Sequence, residues 1–375
     1  MKKVVVLGLI IAIVAMASFV GAASEPIKIG ANYEVTGGVA TFGTACVNST
    51  KLYFDAINKK GGVLGRQLEL VVADNKSDAG ESASAAKKLI SQDKVVALVG
   101  PVTSKNCLSA APIAQDAKIP MITPTGTNPA VTLVGDYIFR ACFIDDFQGT
   151  VMANFARKKL KAKTAAIFVD NANDYSKGLA KFFKESFVKS GGQIVIEEAF
   201  MAGDKDYRTQ LTKIRMKNPD FLYVPAYYQE DGLVAQQARE LGINAPIGGG
   251  DGWDSPDLIK IAGAKALNKV YFSNHYTPDS TDSFSKAYVK AYSAQYNMVP
   301  DALAALGYDA AIITVEAIKK AKSTDGTKIR NAMASLKVKG VSGLITFDAN
   351  RNPVKPAVVI ELKDGVQKYN STVKP

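Results

Sequence analysis

Histidine occurs once in the 375 residues, at His275, tryptophan once, at Trp253, and cysteine three times, at Cys46, Cys107 and Cys142. A zinc site draws on several Cys and His ligands, and no two of these residues have metal-ligand spacing, so neither a metal nor a cofactor is expected. With one histidine and no G-x-S-x-G turn, a serine triad has no frame to sit in. Adjacent acids such as Asp145-Asp146 do not match the separated carboxylates of a glycosidase, and an enzyme is not the expected class. The phosphate-cradling G-x-x-x-x-G-K-[ST] loop is also missing. An odd cysteine count leaves at least one thiol free unless chains pair.

Basic residues outnumber acidic ones, 46 to 35, for a formal charge of +11. The one dense run, "RKKLKAK" (157–163), closes an expected helix, where cations complement the helix dipole. No basic stretch is interleaved with aromatics, so nucleic acid is not an expected partner.

The first residues, "MKKVVVLGLIIAIVAMASFVGAAS", run from two lysines through an apolar stretch to small residues at Gly21, Ala22 and Ala23. This order reads as a secretory signal peptide over 1–23, cleaved near Ala22 or Ala23. An uncleaved membrane anchor is the alternative, since the apolar run is just long enough to span. No cysteine stands at the cleavage point for lipid attachment. The expectation is an exported soluble protein, periplasmic in a cell with two membranes. Loss of Lys2 and Lys3 lowers the formal charge from +11 to +9.

Beyond residue 24, short β-rich runs alternate with helical segments. "IKIGANY" (27–33), "QLELVVADN" (67–75), "VVALVG" (95–100), "IPMITP" (119–124) and "YIFRACF" (137–143) read as strands with helices between them. The alternation restarts with "AAIFVDN" (165–171), "QIVIEEAF" (193–200), "FLYVPAYY" (221–228), "APIGGG" (245–250) and "KVYFSNHY" (269–276). Three helical stretches follow from Ser283, broken at Pro300 and near Ser323, and then two more strands, "GLITFD" and "PAVVIELKDG". Strand–helix alternation of this kind predicts an α/β fold of two doubly wound, mostly parallel sheets, each covered on both faces.

In open α/β sheets, ligands bind outside the carboxyl ends of the strands. In the first half those segments are rich in hydroxyls: "GPVTSKN" (100–106) and "TPTGTNP" (123–129). Ser104 opens a helix, where free N–H groups and the dipole favour an anion; a plain N-cap serine is the alternative. Thr125, Gly126 and Thr127 add hydroxyls and close backbone approach. Together these loops form a neutral cup for a small carboxylate, without an arginine clamp. The second half supplies "DNANDYSKG" (170–178), "AYYQEDG" (226–232) and "GGGDGWDSPD" (248–257). A buried carboxylate must meet a cation or change protonation, so Asp251 would suit a ligand ammonium; a surface turn aspartate is the alternative. Its glycines would let backbone come close to the ligand. Tyr175, Tyr227, Tyr228 and Phe42 could wall an apolar pocket or belong to the core, and Trp253 could cover the pocket or pack the second lobe.

These loops, in this order, resemble the leucine/isoleucine/valine-binding protein family, the branched-chain amino acid receptors of ABC importers. The likeness covers essentially the whole chain after the leader. It runs through "IKIGANYEVTGGVATFGT", "INKKGGVLGR", "LVGPVTS", "MITPTGTNP", "FRACFIDDFQG", "DYSKGLA", "AGDKDYRTQLTKI", "YVPAYYQE" and "GGGDGW". The resemblance implies a type I periplasmic-binding-protein fold, two lobes joined by a three-stranded hinge, with 24–144 plus 277–341 in the N-terminal lobe and 145–276 plus 342–375 in the C-terminal lobe. It implies Ser104 and Thr127 at the α-carboxylate, backbone at Thr125 beside them, and Asp251, where an acid (often glutamate) stands, at the α-ammonium. Tyr227 falls beside Asp251, and Phe42, Tyr175, Val102 and Thr103 fall at or near the side-chain pocket. Aspartate is one methylene shorter than glutamate, so the ammonium must sit closer or the loop move inward. Where some members carry a first-lobe disulfide, this chain has Asp78 and Thr103; a Cys46–Cys107 pair is an open alternative. The expected partners are an amino acid, with leucine, isoleucine or valine favoured, and a membrane permease, the receptor itself acting as a monomer. The competing reading keeps the fold and makes the chain a sensor for an amide or small organic acid.

Overall fold

In the computed structural model, residues 25–375 are described; the expected signal peptide and its cleavage point lie outside them. Strands β1 (Ile27–Tyr33), β2 (Leu68–Asp74), β3 (Ala97–Val99), β4 (Met121–Thr123) and β5 (Ile138–Arg140) form one parallel sheet in the order β2-β1-β3-β4-β5. Helices α1 (Ala40–Asn58), α2 (Ala79–Ser91), α3 (Ser104–Asp116) and the single turn α4 (Ala130–Leu133) alternate with them. Apolar β-branched runs such as Ile27-x-Ile29-x-Ala31 are buried, as expected for strands covered on both faces.

The second sheet has the order β14-β13-β10-β9-β8-β6-β7. Strands β6 (Thr164–Asp170), β7 (Gln193–Phe200), β8 (Phe221–Tyr223), β9 (Ile247–Gly249) and β10 (Val270–Asn274) are parallel. At the edge, β13 (Ala357–Lys363) and β14 (Val366–Val373) add antiparallel. This sheet is therefore mixed, and β14 was not visible in the sequence because "VQKYNSTV" is polar and mostly exposed. Helices α5 (Asp145–Asn154, continued by a π-turn over Phe155–Lys159), α6 (Asp174–Lys189), α7 (Arg208–Lys217), α8 (Tyr228–Glu240) and α9 (Leu258–Ala262) belong to this half.

The chain then leaves β10 for α10 (Ser283–Tyr296), α11 (Ala302–Ala321) and α12 (Gly326–Ala334). Helix α11 packs on α1 and against β3 and β4, which brings it back to the first sheet. The approach is close at Gly307, where a Cβ would lie 2.8 Å from the Cα of Cys46. A small hairpin, β11 (Lys337–Gly340) and β12 (Gly343–Thr346), precedes the return to β13. Three connections thus join the sheets: after β5, after β10 and before β13. The first and third share a buried polar cluster with α11. Lys355 Nζ, before β13, donates to the carbonyl of Ala141, after β5 (3.2 Å), and to Ser342 Oγ. Asp309 on α11 accepts from the Val341 N–H (2.5 Å), the Ser342 N–H (3.1 Å) and the Ser342 hydroxyl.

The three thiols are buried and unpaired. Cys46 Sγ donates to the Leu303 carbonyl and Cys107 Sγ to the Pro101 carbonyl, so the conceivable bridge between them is not formed.

Candidate functional site

The carboxyl ends of both parallel sheets face one small, tight cavity, lined by Phe42, Val102, Thr103, Ser104, Thr125, Tyr175, Tyr227, Asp251, Gly252 and Leu303. A larger groove, about 1610 Å³, runs past Tyr292, Met298 and Val299, away from the strand ends where the loops converge. Eight of the nine residues singled out in the sequence share the cavity; Thr127 does not line it. It is fully buried, and its Oγ1 has no hydrogen-bond partner among the described residues.

The first-sheet wall rests on a residue the sequence did not single out. Glu34, buried at the end of β1, accepts from the N–H groups of Val102 and Thr103 (3.0 Å each), from Thr103 Oγ1 (2.9 Å) and from Asn106 Nδ2 (2.9 Å). Burial raises its pKa, and these donors oppose the shift. The Thr103 hydroxyl is spent on Glu34, so Thr103 offers the cavity its methyl surface. Ser104, at the first position of α3, accepts from the Asn128 N–H (3.2 Å), which leaves its own proton to donate. Thr125 Oγ1 donates to the Val102 carbonyl (2.9 Å) and has lone pairs free to accept. Arg140, fully buried, braces this loop from Gly126 O (2.6 Å) and Asn128 O (2.9 Å). Its guanidinium serves the wall and does not line the cavity.

Opposite stands Asp251, buried in a short 3-10 turn after β9. Its Oδ1 accepts from Gln148 Nε2 and the Tyr175 hydroxyl, both at 3.0 Å, and Oδ2 meets His275 Nε2 at 3.0 Å. The backbone N–H of Asp251 returns to Gln148 Oε1 (3.1 Å), and that of Gly252 to Tyr175 OH (3.2 Å). Of the neighbouring glycines, Gly252 lines the cavity, while Gly249 and Gly250 are required by the protein's own packing. A Cβ on Gly249 would fall 1.9 Å from Trp253 Nε1, and one on Gly250 would fall 2.4 Å from Tyr175 OH. Trp253 is fully buried, donating to the Val224 carbonyl at 2.8 Å, and packs the second half without reaching the cavity.

Aromatic rings close the remainder. Tyr175 and Tyr227 stack at 5.2 Å and 7°, and Phe42 meets Tyr227 edge-on at 5.8 Å and 86°. Phe42 comes from α1, so this contact crosses between the halves, as do the Thr41–Ser255 hydroxyl bond (3.1 Å) and the bond from Asn128 Nδ2 to the Asp174 carbonyl (3.0 Å). Leu303, at the start of α11, adds an aliphatic wall. Nothing local marked Leu303, Gln148 or Glu34; His275 was conspicuous only by being alone.

The residues 26–367 match the model of a family described as "Periplasmic binding protein". The chain is 35% identical over 315 residues, 84% of each chain, to the Leu/Ile/Val-binding protein BraC3 of Rhizobium johnstonii. Among solved structures it is similar to the leucine-binding protein LivK of Thermotoga maritima (TM-score 0.89, 39% identity, covering 93% of this chain and 99% of that one). It is equally similar to the branched-chain amino acid transporter substrate-binding protein LivJ of Streptococcus pneumoniae, solved in complex with isoleucine (TM-score 0.89, 39% identity, 93% and 100%). With its two sheets, triple connection and cavity between the strand ends, the chain belongs to the periplasmic binding protein family, in its leucine/isoleucine/valine-binding branch.

Proposed function

We propose that this protein captures an α-amino acid with an aliphatic side chain, leucine, isoleucine or valine, and hands it to the membrane permease of an ABC importer. The observation that carries this reading is the pairing, across one closed cavity, of a buried ionisable acid, Asp251, with a hydroxyl wall at a helix start, Ser104 and Thr125. A zwitterion satisfies both. Its ammonium meets Asp251, with Thr125 Oγ1 as a further acceptor. Its carboxylate meets the Ser104 hydroxyl and the free N–H groups of the α3 terminus, with Thr127 nearby in the same loop. Phe42, Val102, Thr103, Tyr175, Tyr227 and Leu303 surround the side chain with carbon, and no charged group is left over for a polar one.

The two halves act as lobes, 24–144 plus 277–341 and 145–276 plus 342–375, that part and close about the three connections, the motion expected of such receptors. The leader over 1–23 directs export, the mature chain works outside the cytoplasmic membrane as a monomer, and it carries out no chemical conversion. The relatives named for leucine, isoleucine and valine support the ligand class. The test is calorimetric titration of the purified protein with the twenty amino acids and the des-amino analogues of those that bind. Leucine, isoleucine or valine should bind best, and 4-methylpentanoate weakly or not at all. A flat profile, or equal affinity for leucine and 4-methylpentanoate, defeats the proposal.

A further inference from the structure

The zwitterion reading uses Asp251 and leaves three buried groups beside it without a task. Gln148, on α5, makes four bonds at this point. Its Nε2 donates to Asp251 Oδ1 (3.0 Å) and to Asp145 Oδ1 (3.3 Å), and its Oε1 accepts from the Asp251 N–H (3.1 Å) and Ser273 Oγ (3.1 Å). One amide nitrogen therefore spans two carboxylates, both buried. Two carboxylates this close, out of water, do not both ionise readily; one keeps a proton.

The donors are divided unequally. Asp251 receives three side-chain donors, from Gln148, Tyr175 and His275. Asp145 receives its share of Gln148 and a looser approach of the Thr127 hydroxyl, with the Arg140 cation nearby, and its Oδ2 has no partner within hydrogen-bond distance among the described residues. Hydrogen bonds to the ionised form favour it, so the charge belongs on Asp251 and the proton on Asp145. Consistent with this, burial and the Asp251 charge push the Asp145 carboxyl up to about 8.

Of the three donors, His275 alone reaches Oδ2, and it comes from the end of β10, where the second connection begins. Its ring lies on Phe143 with centroids 3.7 Å apart at 30°. The groups facing it from neighbouring elements are Asp251 and Asp254 in and after the 3-10 turn, and Lys355 before β13; Asp145 and Cys142 lie just beyond. Burial outweighs the two acids and lowers the imidazole pKa, so the ring is neutral near pH 7. Its Nδ1 has no partner among the described residues. The bond to the carboxylate thus assigns the proton to Nε2.

We propose that His275 is a positioning residue that decides which of the two buried carboxylates is charged: by donating its Nε2 proton to Asp251 Oδ2 it holds the negative charge on Asp251 and leaves the shared proton on Asp145. The ligand ammonium then meets one fixed anion at a fixed place. The consequence for affinity rests on the amino-acid reading above; the placement of the proton does not.

The test uses the ligand-free protein labelled at aspartate Cγ, with carboxyl carbon shifts followed between about pH 5.5 and pH 9, and L-leucine affinity measured over the same range. In the parent, the Asp145 carboxyl should titrate near the top of the range, at about 8. In His275→Phe, which keeps a ring on Phe143 without a donor, Asp251 should share the proton. Leucine affinity near pH 6 should then fall about tenfold or more, the scale of a lost bond to a charged group, and recover as the pH rises and both acids ionise. His275→Gln, which returns an N–H donor of similar reach, should restore both the carboxylate shift and the affinity. The proposal is overturned if Asp251 carries the proton in the parent, if His275→Phe leaves Asp251 ionised near pH 6, or if His275→Gln behaves like His275→Phe. A parent that binds no amino acid overturns the functional reading instead, and the carbon shifts still decide the role of His275.

Discussion

Replacing Asp251 with asparagine separates charge from shape at the site. The amide oxygen can still accept from Gln148 Nε2 and Tyr175 OH, both 3.0 Å away in the parent. The new Nδ2 would face His275 Nε2, and the imidazole can answer by moving its proton to Nδ1, which has no other partner among the described residues. The fold should therefore survive, with a shift in Tm of a few degrees at most, given about 2–4 °C per kcal/mol for chains of roughly 150–250 residues and less for longer ones. Affinity should not survive. Removing one member of a buried, hydrogen-bonded charge pair across an interface costs about 2–5 kcal/mol, and about 1.4 kcal/mol is a factor of ten. The cavity is enclosed, which argues for the upper part of that range. Against this, burial is the main cause of the raised Asp145 pKa and the Asp251 charge the second, so loss of that charge eases ionisation of Asp145 and returns part of the missing attraction. A loss of about a hundredfold for L-leucine by calorimetry is the expected compromise, and the double variant Asp145→Asn, Asp251→Asn should lose more. If both variants bound leucine within about fivefold of the parent, the ammonium would not be held here and the reasoning would fail.

Asp145→Asn alone should change how stability responds to pH. The Asp145 carboxyl stands near 8 in the folded protein and near 4 in an unfolded chain. Its contribution is thus complete below about pH 4 and lost as the pH rises through about 8, with a slope of at most about 1.4 kcal/mol per pH unit. Between pH 5 and 8 the Tm of the parent should fall relative to that of the variant, and parallel curves would contradict the assignment. Gly250→Ala should weaken leucine binding by driving Tyr175 OH, 2.4 Å from the added Cβ, off Asp251, whereas Gly38→Ala, exposed and with nothing near its Cβ, should leave affinity unchanged in the same titration. Phe42→Ala should reduce affinity for leucine by about 1–3 kcal/mol, the worth of methylene-scale contacts, and reduce it less for alanine; equal losses would place Phe42 outside the side-chain pocket.

The strand–helix alternation could be read from the sequence because parallel strands in a covered sheet are rich in apolar residues; β1, largely buried, and β7, at the sheet's edge, both fall on the expected residues. The antiparallel edge could not. Strand β14 is held by pairing with β13 and presents a polar, exposed sequence, and β11, "KVKG", is four residues long with two exposed lysines, too short a stretch to stand out. At the site, Ser104, Thr125 and Asp251 stood out because each sits in a Gly-, Thr- or Pro-rich stretch directly after a strand. The groups that govern Asp251 come from 103 and 24 residues away, Gln148 and His275, and lie in a helix start and a strand end with ordinary local chemistry. Glu34 was hidden similarly, since its four contacts all lie 68 to 72 residues on. Only the fold brings such residues together.

All but one of the residues lining the cavity are buried, Tyr227 alone being partly exposed. A chamber closed on that scale has no door for a ligand, so nothing enters or leaves while the halves are in contact. Association must wait for an excursion in which the Thr41–Ser255 and Asn128–Asp174 bonds and the Phe42–Tyr227 contact have parted. The arrival rate is then capped by how often the empty protein opens, and the time a captured molecule stays is set by how often the filled one does. Measured affinity is likewise scaled by the fraction of molecules able to admit ligand. Changes at Thr41, Ser255 or Asn128, none of which lines the chamber, can therefore alter both clocks without touching anything the ligand touches.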